Sequence, residues 1–154
     1  MSVSLSFEGI DENAEWFQEL PEKVLDRIRE KLQELAPEIE VYTKSTAPVR
    51  TGAYRDSIVC TVDDLTLTLS AGCTEAPYAP IVEYGSAPHE IVAKNAKALH
   101  WTDEAAKERF AKRVYHPGTQ GQFIIENAMA VKQEDLYQAI DEAIDEATQD
   151  GGEG

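Results

Sequence analysis

Val3, Leu5 and Phe7 alternate with Ser4 and Ser6, the period-two pattern of a strand with one buried face. Gly9 closes it. Asp11, Glu12 and Glu15 then open a helical stretch, where early acids suit the positive end of the helix dipole. Trp16, Phe17 and Leu20 give that stretch an apolar patch before Pro21. Pro21 fits the first turn of a longer helix, because its missing N–H costs nothing there. Behind it Val24, Leu25, Ile28, Leu32, Leu35 and Ile39 recur at steps of three and four. Glu22, Lys23, Asp26, Glu30, Lys31 and Glu34 fall mostly on the other side, so the helix is amphipathic and faces a core. Pro37 is expected to kink or split it.

Ala47-Pro48-Val49-Arg50-Thr51-Gly52 breaks this helix. Ser57 to Val62 and Leu65 to Ser70 then read as the two strands of a β-hairpin, turning at Asp63-Asp64. In that register Cys60 faces Leu67. Pro77 to Gly85 is predicted to form a single helical turn capped by the glycine. Ser86 to Val92 reads as a loop, and Ala98 to Trp101 and Lys112 to Tyr115 as short strands. His116-Pro117-Gly118-Thr119 is a turn. From Phe123 onward Ile124, Ala128, Val131, Leu136, Ile140 and Ile144 mark a second long helix, ending near Thr148. These elements predict an α+β fold, a small and mainly antiparallel sheet packed by two long helices. Residues 1–148 form a single domain on this reading, and 149–154 a flexible acidic tail.

Charge changes the picture. Twenty-nine acids against 14 bases give a formal −15 over 154 residues. Such a surface does not bind DNA phosphates non-specifically, since that affinity comes from Lys and Arg displacing counterions. The acidity and the low lysine content fit a host with a very salty cytoplasm. Near 1 M salt the Debye length falls to about 3 Å and repulsion among the acids is screened. An acidic mesophilic protein has the same composition. Against this background Lys94, Lys97, Lys107, Arg109, Lys112 and Arg113 form a local basic excess over Asp103, Glu104 and Glu108. It is a possible contact face for an acidic neighbour or for DNA in a channel, or else an ordinary solvated hairpin.

No apolar run approaches the roughly 20 residues that span a bilayer, and the first residues lack the pattern of a signal peptide. The expectation is a protein held in the cytoplasm until it enters a larger particle, with no membrane partner. Cys60 and Cys73 are expected to be plain buried thiols, unbridged. His89, His100 and His116 show no ligand spacing, so no metal is expected. Ser57 and His116 are the residue types of a hydrolase, but Arg55-Asp56-Ser57-Ile58 is not a nucleophile elbow. No phosphate-binding loop is present, and no cofactor is expected.

Three blocks carry a resemblance. Ala47-Pro48-Val49-Arg50-Thr51-Gly52-Ala53-Tyr54-Arg55-Asp56-Ser57-Ile58, then Tyr78-Ala79-Pro80-Ile81-Val82-Glu83-Tyr84-Gly85-Ser86, then His116-Pro117-Gly118-Thr119 with Gln122-Phe123-Ile124 and Ala128 follow one another. In order and spacing they resemble the HK-type siphophage neck proteins, a family of tail-component or tail-completion proteins. Tyr54 stands where that family's pattern has leucine, Tyr84 where it has phenylalanine, and Gln122 where it has proline. The first two swaps keep an apolar body, and the third bears on how the last helix is entered. Gly52 and Gly118 supply turns that other residues would strain. Tyr78, Glu83 and Tyr84 on one short turn make either a packing corner or a subunit contact.

The resemblance implies a non-enzymatic virion protein. Copies would form a ring in the neck, between head-closure or adaptor proteins on one side and the tail terminator or tail tube on the other. Viral DNA would pass through the lumen without sequence-specific binding, past acids that repel it. Pro48, Thr51, Gly52, Ser57, Tyr78, Glu83, Tyr84, Gly85, His116, Pro117, Gly118 and Phe123 are the motif positions, with packing or interface roles. The acidic composition points to a tailed virus of a halophilic archaeon. A tail terminator or head-closure protein is the near alternative, and a small acidic hydrolase using His116 the distant one.

Overall fold

The computed structural model describes residues 3–6, 22–94, 96–103 and 105–149. The expected helix around Trp16 and Phe17, the placing of Pro21 and the acidic tail beyond Gln149 lie outside these residues.

The fold is α+β. A three-stranded antiparallel sheet has the order β1 (Val3–Ser6), β3 (Thr66–Ala71), β2 (Val59–Asp63). Two long helices, α1 (Glu22–Thr46) and α4 (Ile124–Gln149), pack on each other and on the sheet. The apolar stripe of α1 is buried as its periodicity predicts: Val24, Ile28, Leu32, Leu35, Ala36 and Ile39 meet Leu67 and Leu69 of the central strand and Ile125, Leu136 and Ala143 of α4 in one core. Lys31 pairs with Glu142 and Glu146 at 3.3 and 2.9 Å, and Lys132 lies 5.6 Å from the Tyr42 ring centroid, so the two helices run antiparallel.

α1 runs unbroken through Pro37. The expected split does not occur because Pro37 is on the exposed side, where water can take the bond its ring denies to the carbonyl four residues back. The β2–β3 turn falls at Asp64-Leu65, one residue later than expected, with Asp64 at φ +52°. Aspartate tolerates that left-handed backbone better than most residues. Cys60 therefore lies opposite Leu69, and Leu67 opposite Val62. The shift is by an even number, so each side chain keeps its face.

The largest departure is between Gly85 and Gln120. The expected loop at Ser86 to Val92 contains strands β4 (Gly85–Ser86) and β5 (His89–Val92). After β6 (Leu99–Thr102) an unanticipated β7 (Glu108–Ala111) returns beside it, followed by β8 (Arg113–His116) and β9 (Thr119–Gln120). The pairs β4–β9, β5–β8 and β6–β7 are successive rungs of one antiparallel ribbon. Asp103 organises its tip: Oδ1 accepts from the Ala105 and Lys107 N–H groups at 3.0 and 2.9 Å, and Oδ2 from Arg109 at 2.8 Å. These bonds, that from Lys107 foremost, hold its carboxyl below the usual range.

Candidate functional site

The motif residues meet at a buried carboxylate. Gly52, at φ +89°, starts the short helix α2 (Ala53–Asp56), whose one turn buries Tyr54. Ser57 locks the turn: its Oγ donates to the Tyr54 carbonyl at 2.7 Å and accepts from Gly72 N–H at 3.0 Å. The helix α3 (Ala79–Tyr84) has Pro80 in its first turn and ends at Gly85. Its inner face carries Ala79 and Glu83, and Glu83 is 1% exposed.

Glu83 finishes a helix that cannot finish itself. Phe123 precedes the first residue of α4 and has no side-chain acceptor, so the N–H groups of the first turn need another partner. The Glu83 carboxylate supplies it, taking Ile125 N–H at 3.3 and 3.2 Å with its two oxygens. A negative group there also meets the positive end of the α4 dipole. The same carboxylate accepts from the Tyr54 hydroxyl. Burial first, and then the bond and charge of Glu83, push the Tyr54 phenol far above its ordinary value and keep it a donor. Among the described residues no buried side-chain N or O lacks a hydrogen-bond partner.

The backbone binds the same elements. Gln122 N–H donates to the Val82 carbonyl at 2.9 Å and Phe123 N–H to the Glu83 carbonyl at 3.1 Å. A proline at 122 has no N–H to make the first of these bonds. Phe123 sits at φ +50°, rare for a bulky residue, and its ring meets Tyr84 edge-on at 6.2 Å. At the foot of the ribbon Gly85 and Gly118 have φ of +78° and +93°. A Cβ on Gly85 would lie 2.2 Å from the Thr119 carbonyl oxygen, and one on Gly118 2.4 Å from that of Ser86.

The other motif positions lie around this junction. Thr51 Oγ1 accepts from Ala53 N–H at 3.4 Å. Tyr78, just before α3, and Tyr84, its last residue, are exposed, and Pro48 and Pro117 are exposed in their turns. A cleft of about 560 Å³ lies between the loop from Pro48 to Gly52 and Tyr78, with Tyr54 in its wall. His116 stacks on His89 at 5.1 Å, and its Nδ1 accepts from Gly118 N–H at 3.1 Å. Ser57 and His116 are thus each held to local backbone, and among the described residues no hydrogen bond joins them. Nor is any group of three or more His, Cys, Asp or Glu there placed to hold a metal ion. The basic residues Lys94, Lys97, Lys107, Arg109, Lys112 and Arg113 are exposed along the ribbon. Arg109 pairs with Asp103 at 2.8 Å and Arg113 with Glu90 at 3.2 Å.

Residue-level reading of the sequence missed the role of Tyr54. The signal was a hydroxyl standing where the family pattern has leucine, together with one glutamate on an otherwise apolar turn. It placed β6 and β8 of the ribbon to within a residue but missed β5 and β7, whose alternation separates two exposed faces and leaves no apolar stripe.

Residues 11–85 match the family model described as "Bacteriophage HK97-gp10, putative tail-component". Over that stretch, just under half of the chain, the sequence is similar to a phage tail component. The match takes in the first block and the second as far as Gly85, so β5 to β9 and α4 lie beyond it. No curated protein and no solved structure gives a match. Among the described residues no helix is long and apolar enough to cross a membrane.

Proposed function

We propose that this chain is a structural virion protein without catalytic activity. It forms a ring in the neck of a tailed virus, joining the DNA-filled head to the tail around a channel for DNA. The match of residues 11–85 to a phage tail component carries this reading. The buried junction supports it, because Tyr54, Glu83 and Phe123 hold three parts of the chain together and present no reactive centre to solvent. Residues 1–148 act as one domain whose contacts are with its own copies, with head-closure or adaptor proteins, and with the tail terminator or tail tube. Assembly takes place in the host cytoplasm. Carboxylates facing the lumen repel DNA and let it slide, which the formal charge of −15 favours. The same charge fits a virus of a halophilic archaeon. Stability against urea should then rise as salt is raised toward the molar range, and a flat or falling response would remove that part of the reading.

Labelling intact particles with an antibody to this chain, viewed by electron microscopy, tests the assignment. Label confined to the head–tail junction is the expected result. Label along the tail, at its tip, or nowhere on the particle overturns the neck position.

A further inference from the structure

The ribbon from β5 to β8 packs chiefly on itself. β5, β6 and β7 are largely exposed on both faces and β8 on one, its other face being half-buried, and a two-stranded ribbon alone is marginal in water. It nevertheless carries Phe110 at 66%, Tyr115 at 70% and Trp101 at 39% exposure. Uncovered aromatics of this size beside basic groups are the composition of a contact surface. Among the described residues Lys97, Lys107 and Lys112 have no carboxylate within 4 Å. The stretch from Lys94 to Arg113 has six bases and three acids, whereas the whole chain is at −15. The ribbon is therefore opposite in charge to the body that bears it.

The body offers a matching surface. On the outer side of α1, Pro37 and Val41 are exposed, Val41 at 68%, between two shallow hollows of about 530 and 350 Å³. Glu34 and Glu38 stand on the same exposed side. An apolar centre flanked by carboxylates complements an aromatic ribbon flanked by lysines.

We infer that the ribbon of one copy docks on the Pro37–Val41 surface of α1 in a second copy. Phe110 is the apolar anchor, and Lys107 and Lys112 face Glu34 and Glu38. The two patches differ, so the contact is heterologous and passes from each copy to the next, as a ring requires. The inference deepens the ring reading and rests on it for closure.

A photo-crosslinking residue placed at Phe110 in the full chain, used both in the purified protein and in assembled particles, tests the contact. The position is exposed, so the substitution leaves the core intact, as circular dichroism can check. The expected product is a covalent dimer with its adduct in α1 between Gln33 and Ser45 of the second copy. No dimer in either setting, or adducts elsewhere on the chain, overturns the inference. Lys107→Glu with Lys112→Glu should weaken self-association roughly tenfold or more, and Glu34→Lys with Glu38→Lys should restore it in the combined variant. Lack of that rescue also counts against the contact. Adducts to another virion protein, with label still at the neck, would remove this inference and leave the neck reading. Dimers through α1 from a chain absent from the neck would do the reverse.

Discussion

The Tyr54 hydroxyl donates to the Glu83 carboxylate inside the domain, and the same carboxylate caps α4 through Ile125 N–H. One acid thus joins the turn after α1, the short helix α3 and the last helix. Glu83→Ala leaves both donors buried and unpaired, at a cost of about 1–3 kcal/mol for each orphaned group. Tyr54→Phe removes one donor and should cost less than Glu83→Ala. In a double-mutant cycle the two changes should fall short of additivity, because they break one shared contact. Urea unfolding of the four proteins measures this. Strict additivity, or a Glu83→Ala protein as stable as the parent, would contradict the junction.

Gly85→Ala and Gly118→Ala probe the foot of the ribbon. Each added methyl meets a backbone carbonyl oxygen, at 2.2 and 2.4 Å, and each position has a positive φ. Both substitutions should loosen β4–β9 and raise amide hydrogen exchange from His89 to His116. The middle turns of α1 and α4 should keep their protection, since the ribbon lies outside the core. Uniform loss of protection would show that the ribbon and core unfold as one unit.

How far the sequence revealed this molecule depends on the element. The stripe from Val24 to Ile39 and most of the apolar positions after Phe123 were legible, because a helix with one buried face writes that face at steps of three and four; Val131, counted with them, is instead 57% exposed. Leu67 and Leu69 were legible for the corresponding reason in a strand. His89–Val92 and Glu108–Ala111 were not, since a ribbon open on both faces writes no alternation. Of the junction, Glu83 and Gly85 were marked by the resemblance. The Tyr54–Glu83 bond was hidden because partners 29 residues apart meet only after α2 and α3 pack.

Glu40 gives the acid limb of stability a specific contributor. One oxygen accepts from Lys44 at 2.7 Å, and the other accepts from the Cys60 N–H of edge strand β2 at 2.9 Å. The Lys44 bond first, then the Cys60 bond, hold this carboxyl below its ordinary 4.5. A folded value lower than the unfolded one means stability that is present above about pH 4.5 and lost as pH falls through the lowered value. Glu40→Gln should therefore be less stable than the parent at neutral pH, by about 1 kcal/mol or less for a partly exposed pair. The difference should close in acid. Denaturant midpoints of both proteins across a pH series decide it, and a gap that persists well below pH 4 would exclude Glu40 as the cause.

The cysteines should separate by reactivity. Both were expected to be buried, yet Cys73 is exposed and Cys60 half-buried, and neither is bridged. Cys73 lies two residues past the end of β3 at Ala71, beyond the cover of the helices, whereas Cys60 lies on β2 against α1. Burial first and the Glu40 charge second push the Cys60 thiol up to about 11. The thiolate is the reacting form, so Cys60 is shielded both sterically and by protonation. Brief treatment of the folded protein with iodoacetamide near pH 8 should add one label, and peptide mapping should find it on Cys73. In urea both cysteines should react. Equal labelling of the two in the folded state would mean that β2 detaches from α1 far more readily than the bond from Cys60 N–H to Glu40 implies.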